Sequence, residues 1–227
     1  MQYFSRFYAW YLYRTNTPDR TVAAWTTLQK QFGLTRKIMR IGKFVEHIRA
    51  ASELYDAAMR RGSGDKIVQY LQTLRQIGYA GYMFFDTMTV LDAMGVRKYT
   101  KAKRVQAAAY RCWFFGLVAS TLAGIYSLYA LNSRTKQIDE KDADGKVEKV
   151  KMARYVERFL PSGSMSNILT GRDRQAQTLR IQLTSDLCDI MVPSTALGYV
   201  QLDDGIIGLA GTLSSLLGIR GVWTKTA

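Results

Sequence analysis

The chain has 227 residues, 48% of them hydrophobic, which is ample material for one or two cores. Its 32 lysines and arginines against 18 acids leave a formal charge of +14, and that balance calls for a polyanionic partner, either nucleic acid or a membrane surface with acidic lipids. Two distant cysteines, Cys112 and Cys188, and the single histidine His47 exclude zinc-finger spacings, a disulfide framework and any histidine-based catalysis that does not use His47.

The N-terminus lacks the basic, apolar and cleavage regions of a secretory signal. The first segment, QYFSRFYAWYLYR, sets Tyr3, Phe4, Phe7, Tyr8, Trp10, Tyr11 and Tyr13 around all sides of a short helix, with Arg6 and Arg14 between them. Rings with an apolar body and a polar tip suit either a bilayer interface or a helix wedged between partners. Thr17 reads as an N-cap with Pro18 at the first helical position, opening a second helix marked by Val22, Trp25, Leu28 and Phe32 that Gly33 ends or bends.

From Gly33 to Arg61 the residues sort by side when wound as one helix. Leu34, Ile38, Ile41, Val45, Ile48, Tyr55 and Met59 fall on one face; Arg36, Arg40, Lys43 and His47 fall opposite, with Lys37 and Arg49 at the borders. Such a helix either packs on a protein core with its basic face in solvent or lies in the head-group layer of an anionic membrane. The segments that follow favour the membrane. In that placement Leu34, Ile38, Ile41, Val45 and Ile48 enter the acyl region, while Arg36, Lys37, Arg40, Lys43 and Arg49 meet the lipid phosphates.

Gly62-Ser63-Gly64 reads as a tight connection with Asp65 as the next cap. The apolar run from Ile77 to Met94 is long enough to enter a bilayer, yet it carries Asp86 and Asp92. A buried or interfacial helix fits it better than a span, with the acids facing water or Asp86 facing a protein partner. Gly78 and Gly81 in this helix suit close packing. Then comes the cluster Arg97, Lys98, Lys101, Lys103, Arg104 and Arg111, followed by the uncharged stretch Trp113 to Leu131, aromatic at both ends and closed by Arg134 and Lys136. That is the pattern of a transmembrane helix, with a buried core helix as the alternative. Gly116, Ser120 and Gly124 give it one face for close helix packing, and the excess of Lys and Arg ahead of it places the N-terminal half in the cytosol.

From Asn132 to about Arg174 the chain turns polar and mixed in charge, which reads as a flexible loop with marginal helix. Helical spacing resumes at Ala176, Leu179, Leu183 and Leu187. Two apolar stretches follow, Ile190 to Leu202 and Gly205 to Ile219, hinged at Asp203-Asp204, and Pro193 argues against one continuous span. Gly208, Gly211, Thr212 and Ser215 offer a second small-residue face, suited to packing on the first span.

The expected fold is therefore all-α and membrane-associated. Residues 1–95 form an amphipathic or interfacial region, 96–131 a basic cluster with a transmembrane helix at about 113–131, 132–174 a polar loop, and 175–227 a helical region with a shorter apolar helix at about 205–219 as second membrane segment. No P-loop, dinucleotide fingerprint or nucleophile elbow occurs. Asp86, Asp186, Asp189, Asp203 and Asp204 supply carboxylates without an implied pocket, so neither catalysis nor a metal or cofactor is expected. A soluble nucleic-acid binder would explain the charge but not the run from Trp113 to Leu131, so nucleic acid is not the expected partner. A pore for small metabolites, with Asp86 or Asp203 and Asp204 on a wet path, is the second functional class that the residues allow.

In order, the blocks QYFSRFYAWYL, GLTRKIMRIGKFVEHIRAA, GYAGYMFFDTMTVLDAMGVRK, AYRCWFFGLVASTLAGIYSL and LTSDLCDIMVPSTALGYVQLDDGIIGLAGTLSSLLGI resemble the peroxin-11 family of peroxisomal membrane proteins. The likeness spans nearly the whole chain outside the loop from Asn132 to Asn167. It implies a peroxisomal membrane location and elongation of that membrane ahead of fission, with Leu34 to Met59 as the membrane-active helix. It also implies self-association and recruitment or activation of a dynamin-related GTPase with its fission adaptor. Members of the family usually begin with a further helical segment ahead of the block that starts here at Gln2.

Overall fold

Good helix formers dominate most of this chain, and the computed structural model, which describes residues 1–60, 66–144 and 163–226, is built of helices with no strand among them. They are α1 (Gln2–Arg14), α2 (Asp19–Ile38), α3 (Phe44–Arg60), α4 (Lys66–Met88), the short α5 (Val90–Ala93), α6 (Ala102–Asp144), α7 (Gly163–Ala196) and α8 (Asp204–Thr226). The protein is all-α, as expected.

Local chemistry sets the breaks. α1 ends where the Thr15 hydroxyl donates to the carbonyls of Tyr11 and Leu12, both at 3.1 Å, and Asn16 takes a positive φ of 51°. Pro18 occupies the cap position of α2, one residue from where the Thr17 cap would set it. The larger departure lies further on. The helix expected to run unbroken from Gly33 to Arg61 passes through Gly33, ends at Ile38, turns through Met39–Lys43 and restarts at Phe44. Gly42 makes the turn with φ +83°, a left-handed conformation that costs a glycine little. Gly33 serves a different end, since a Cβ there would stand 2.9 Å from the Gln2 amide nitrogen.

Residues 1–123 and 184–227 form one compact unit, and 124–183 form another. In the first unit α3 packs on α4, and α1 packs on both α2 and α8. Its core is Tyr82 of α4 with Ala109, Trp113 and Leu117 of α6, bordered by Ile190 and Val192 of α7. Tyr82 and Trp113 stack at 4.9 Å between ring centroids, a geometry that adds to burial alone. α4 and α6 cross backbone to backbone, because a Cβ on Gly78 would lie 2.6 Å from Cα of Gly116. Deeper in the same unit, the buried Ser120 hydroxyl donates to Asp186, and Ser185 shares a hydrogen bond with Ser214.

α8 is gripped by α1. Gly205, Gly208 and Gly211 make a groove into which Trp10, Phe7 and Tyr3 fit so closely that a Cβ at any of the three glycines would come within 2.6 Å of them. Arg6–Asp204 at 2.6 Å and Arg14–Asp203 at 3.3 Å flank the groove. The small-residue face of α8 thus meets α1, not the first span. Ser215, at the edge of that face, is exposed and bonds the carbonyl of Gly211. In the second unit Gly124 of α6 faces Leu183 of α7, whose Cδ1 would be 3.4 Å from an added Cβ.

Among the described residues one helical stretch, Ala102–Ser133, is long and apolar enough to cross a membrane. It begins earlier than Trp113 because the alanine-rich turns around Ala107–Ala109 continue the helix. The ends of the expected polar loop are helical as well: α6 continues to Asp144 and α7 starts at Gly163. The middle of that loop, 145–162, and the expected connection at Gly62–Asp65 lie outside the described residues. Pro193 does not break α7. The helix continues to Ala196 with Pro193 fully buried, and the chain turns only at Gly198, where φ is +77°.

Candidate functional site

The α2–α3 corner carries its aliphatic side chains outward. Ile38, Ile41, Val45 and Ile48 are exposed by 40, 53, 57 and 55%, and Met39, Tyr55 and Met59 are exposed with them. Ile67, Tyr70, Leu74, Ile77, Phe84 and Met88 form an exposed apolar stripe on α4 at helical spacing. Phe44 and Phe84 join α3 to α4 edge to face, with centroids 5.6 Å apart. α6 repeats the pattern, with Phe115, Leu122, Ile125 and Tyr129 exposed opposite the buried Ala109, Trp113 and Leu117. A helix apolar on the side facing its own protein and also on the far side has hydrocarbon as its natural surroundings.

The cations of the same corner point the other way. Arg36, Lys37 and Arg40 line a cavity of about 310 Å³ within the first unit, together with Tyr3, Tyr82 and Asp86. The Lys37 ammonium lies 3.0 Å from Asp86 and donates to Gln106 at 2.7 Å and Thr89 at 3.1 Å. Asp86, 5% exposed, therefore has the protein partner that its place in an apolar helix required. Arg40 donates to the Tyr82 hydroxyl at 3.1 Å. Arg36 lies 5.0 Å from the centre of the Tyr3 ring. Burial works against the Arg36 charge, but the Tyr3, Tyr82 and Asp86 oxygens outweigh it and raise its pKa, so it stays a cation. Burial likewise pushes the Tyr82 phenol up to about 12, with Arg40 pulling partly back.

This arrangement corrects the expectation that Arg36, Lys37 and Arg40 form a solvent-facing basic surface. One continuous helix would place them opposite the isoleucines and in water. The turn at Gly42 gives α2 and α3 separate orientations, and α2 lays its cations over the polar groups of α4 and α6. Lys43 and Arg49 do face solvent, and Arg49 pairs with Glu53 at 2.9 Å. Leu34 differs from the other four aliphatic residues in being half-buried against the cavity. His47 bonds Gln76 through Nδ1 at 2.8 Å and stacks on Tyr79. No metal-binding group of His, Cys, Asp and Glu occurs among the described residues. The cavity itself was not legible beforehand, although a lone acid in an apolar helix, Asp86, was the signal of a buried cation.

The sequence matches the family described as Peroxisomal biogenesis factor 11 (PEX11) over residues 1–223. It is similar to "Peroxisomal membrane protein PMP30B" of Candida boidinii, 23% identical over 100% of this chain and 87% of that protein. It is also similar to "Peroxisomal membrane protein PMP27" of Saccharomyces cerevisiae, 24% identical over 88% of this chain and 79% of the relative. "Peroxisomal membrane protein 11A" of Homo sapiens is 23% identical over the same shares, 88% and 79%. No solved structure matches the chain. With its lipid-suited helices and a match that runs from the first residue nearly to the last, the chain belongs to the Peroxisomal biogenesis factor 11 family and is a peroxisomal membrane protein involved in peroxisome proliferation.

Proposed function

We propose that this protein bends and elongates the peroxisomal membrane ahead of fission by seating the outward aliphatic face of the α2–α3 corner in the nearer leaflet, while α6 anchors it beside that leaflet. The observation that carries this reading is the exposure of Ile38, Ile41, Val45 and Ile48 on a chain that also holds a membrane-length helix. Each partly inserted aliphatic side chain contributes about 1 kcal/mol or more. Lys43 and Arg49, with the exposed cluster Arg97, Lys98, Lys101, Lys103 and Arg104, contribute up to about 1 kcal/mol each near acidic lipid. Binding then depends on anionic phospholipid and weakens with salt. Inserted wedges expand one leaflet, and self-association through the helices concentrates them into a tubule. The tubule in turn presents a site for a dynamin-related GTPase and its fission adaptor.

The test uses the full chain reconstituted in phosphatidylcholine liposomes with and without phosphatidylserine. Tubules seen by electron microscopy are expected with the acidic lipid and not without it. The double substitution Ile41→Glu with Ile48→Glu abolishes them while the protein remains membrane-integrated. Tubulation by this double variant at the wild-type level would refute the wedge.

A further inference from the structure

The cavity behind the α2–α3 corner is more cationic than its own carboxylates require. Five basic residues line it: Arg6, Lys30, Arg36, Lys37 and Arg40. Asp204 neutralises Arg6 and Asp86 neutralises Lys37. Among the described residues Lys30, Arg36 and Arg40 have no carboxylate within ion-pair distance. Two polar atoms of lining residues are buried without a hydrogen-bond partner, and they are of opposite kinds: the donor Nε of Arg36 and the acceptor Oε1 of Gln2. Orphaned buried polar atoms are rare in finished interiors and mark a place where something else completes the bonding.

We infer that this cavity is a binding site for a phosphate ester, its anionic oxygens held by Arg36, Arg40 and Lys30 and a hydroxyl of its alcohol part facing Gln2. Two guanidinium groups suit a phosphate because each presents a planar fork of donors to paired oxygens. The volume of about 310 Å³ exceeds what a bare inorganic anion fills and lies at the small end of ligand sites. Aromatic walls from Tyr3, Tyr82, Tyr110 and Trp113 exclude water from part of the site and strengthen each charged contact. The site is independent of the wedge, since it uses the inward face of α2 and leaves Ile41 and Ile48 untouched.

The full chain in neutral detergent is titrated with glycerol 3-phosphate and, separately, with dioctanoyl phosphatidic acid below its micellar concentration, with glycerol as the uncharged control. Saturable binding of either phosphate and none of glycerol is expected. Competition between the two ligands shows that a free phosphate ester suffices, whereas binding of the phosphatidic acid alone identifies a lipid head group. Arg36→Gln with Arg40→Gln weakens binding at least about tenfold. Asp86→Asn, which removes the one carboxylate lining the cavity, tightens it. On the wild-type chain, bound ligand also protects Arg36 and Arg40 from phenylglyoxal, as read by mass spectrometry. Absence of saturable binding, or equal loss on Arg97→Gln with Lys98→Gln, would overturn the assignment.

Discussion

Two stretches of this chain mix cations with aliphatic and aromatic residues, and they turn them in opposite directions. At the α2–α3 corner Arg36, Lys37 and Arg40 face the interior and the isoleucines face out. At the start of α6, Lys101, Lys103, Arg104 and Arg111 face out while Ala109, Trp113 and Leu117 face the core. The difference lies in what stands opposite. α2 looks onto Asp86, Tyr82, Thr89 and Gln106, which together supply a counter-charge and acceptors for its cations. The inward face of α6 from Ala109 to Leu117 looks onto Gly78, Tyr82 and the apolar Ile190 and Val192 of α7, and the one hydroxyl among these, that of Tyr82, is already bonded to Arg40. A basic residue thus turns inward only where acceptors already wait, and helical periodicity alone does not say where that is.

The strongest way to break the contrast is to remove the acceptor. Asp86→Ala strands the Lys37 ammonium, which is only 24% exposed, and is expected to cost about 3 kcal/mol, seen as a large drop in the thermal midpoint of the detergent-solubilised chain. Alkali probes the same corner without mutation. Tyr82 ionises near 10 when unfolded and at about 12 in the fold. Its contribution is therefore complete below pH 10 and is lost as pH rises to 12, by about 2 to 3 kcal/mol. Denaturant midpoints across that range are expected to fall, and less so in Tyr82→Phe.

On the outward side of each stretch stability should hardly move. Ile41→Glu is expected to change the detergent unfolding midpoint by no more than about 0.5 kcal/mol equivalent, although it disables tubulation. Smallest in stability, Lys101→Ala with Lys103→Ala leaves unfolding unchanged within the same margin and lowers association with phosphatidylserine vesicles in a salt-dependent way. A large loss of stability from either outward change would show that the two regions are not deployed oppositely after all.

The elements that could be read in advance were those whose signal is local. Trp113 to Leu131 carries its own length, aromatic ends and basic flanks, and the helix is there. Asp86 announced its own need, and the structure answers with Lys37. What could not be read depends on neighbours distant in sequence. Gly33 and Gly42 look alike in the chain, yet one lies beneath Gln2 and the other takes a left-handed turn, and that choice decides which way three cations face. Pro193 suggested a break, but packing around a fully buried ring holds α7 through it. The groove of Gly205, Gly208 and Gly211 was visible as a small-residue face; that its occupant is α1 follows only from the fold.

The clasp of α1 in α8 unites helices far apart in sequence, with Arg6 and Asp204 standing 198 residues from one another. Until α8 has formed, Tyr3, Phe7 and Trp10 have no groove to enter, and closing the long loop between the two helices must precede their burial. The groove is therefore filled late in folding, with the aromatic face of α1 uncovered in the interval.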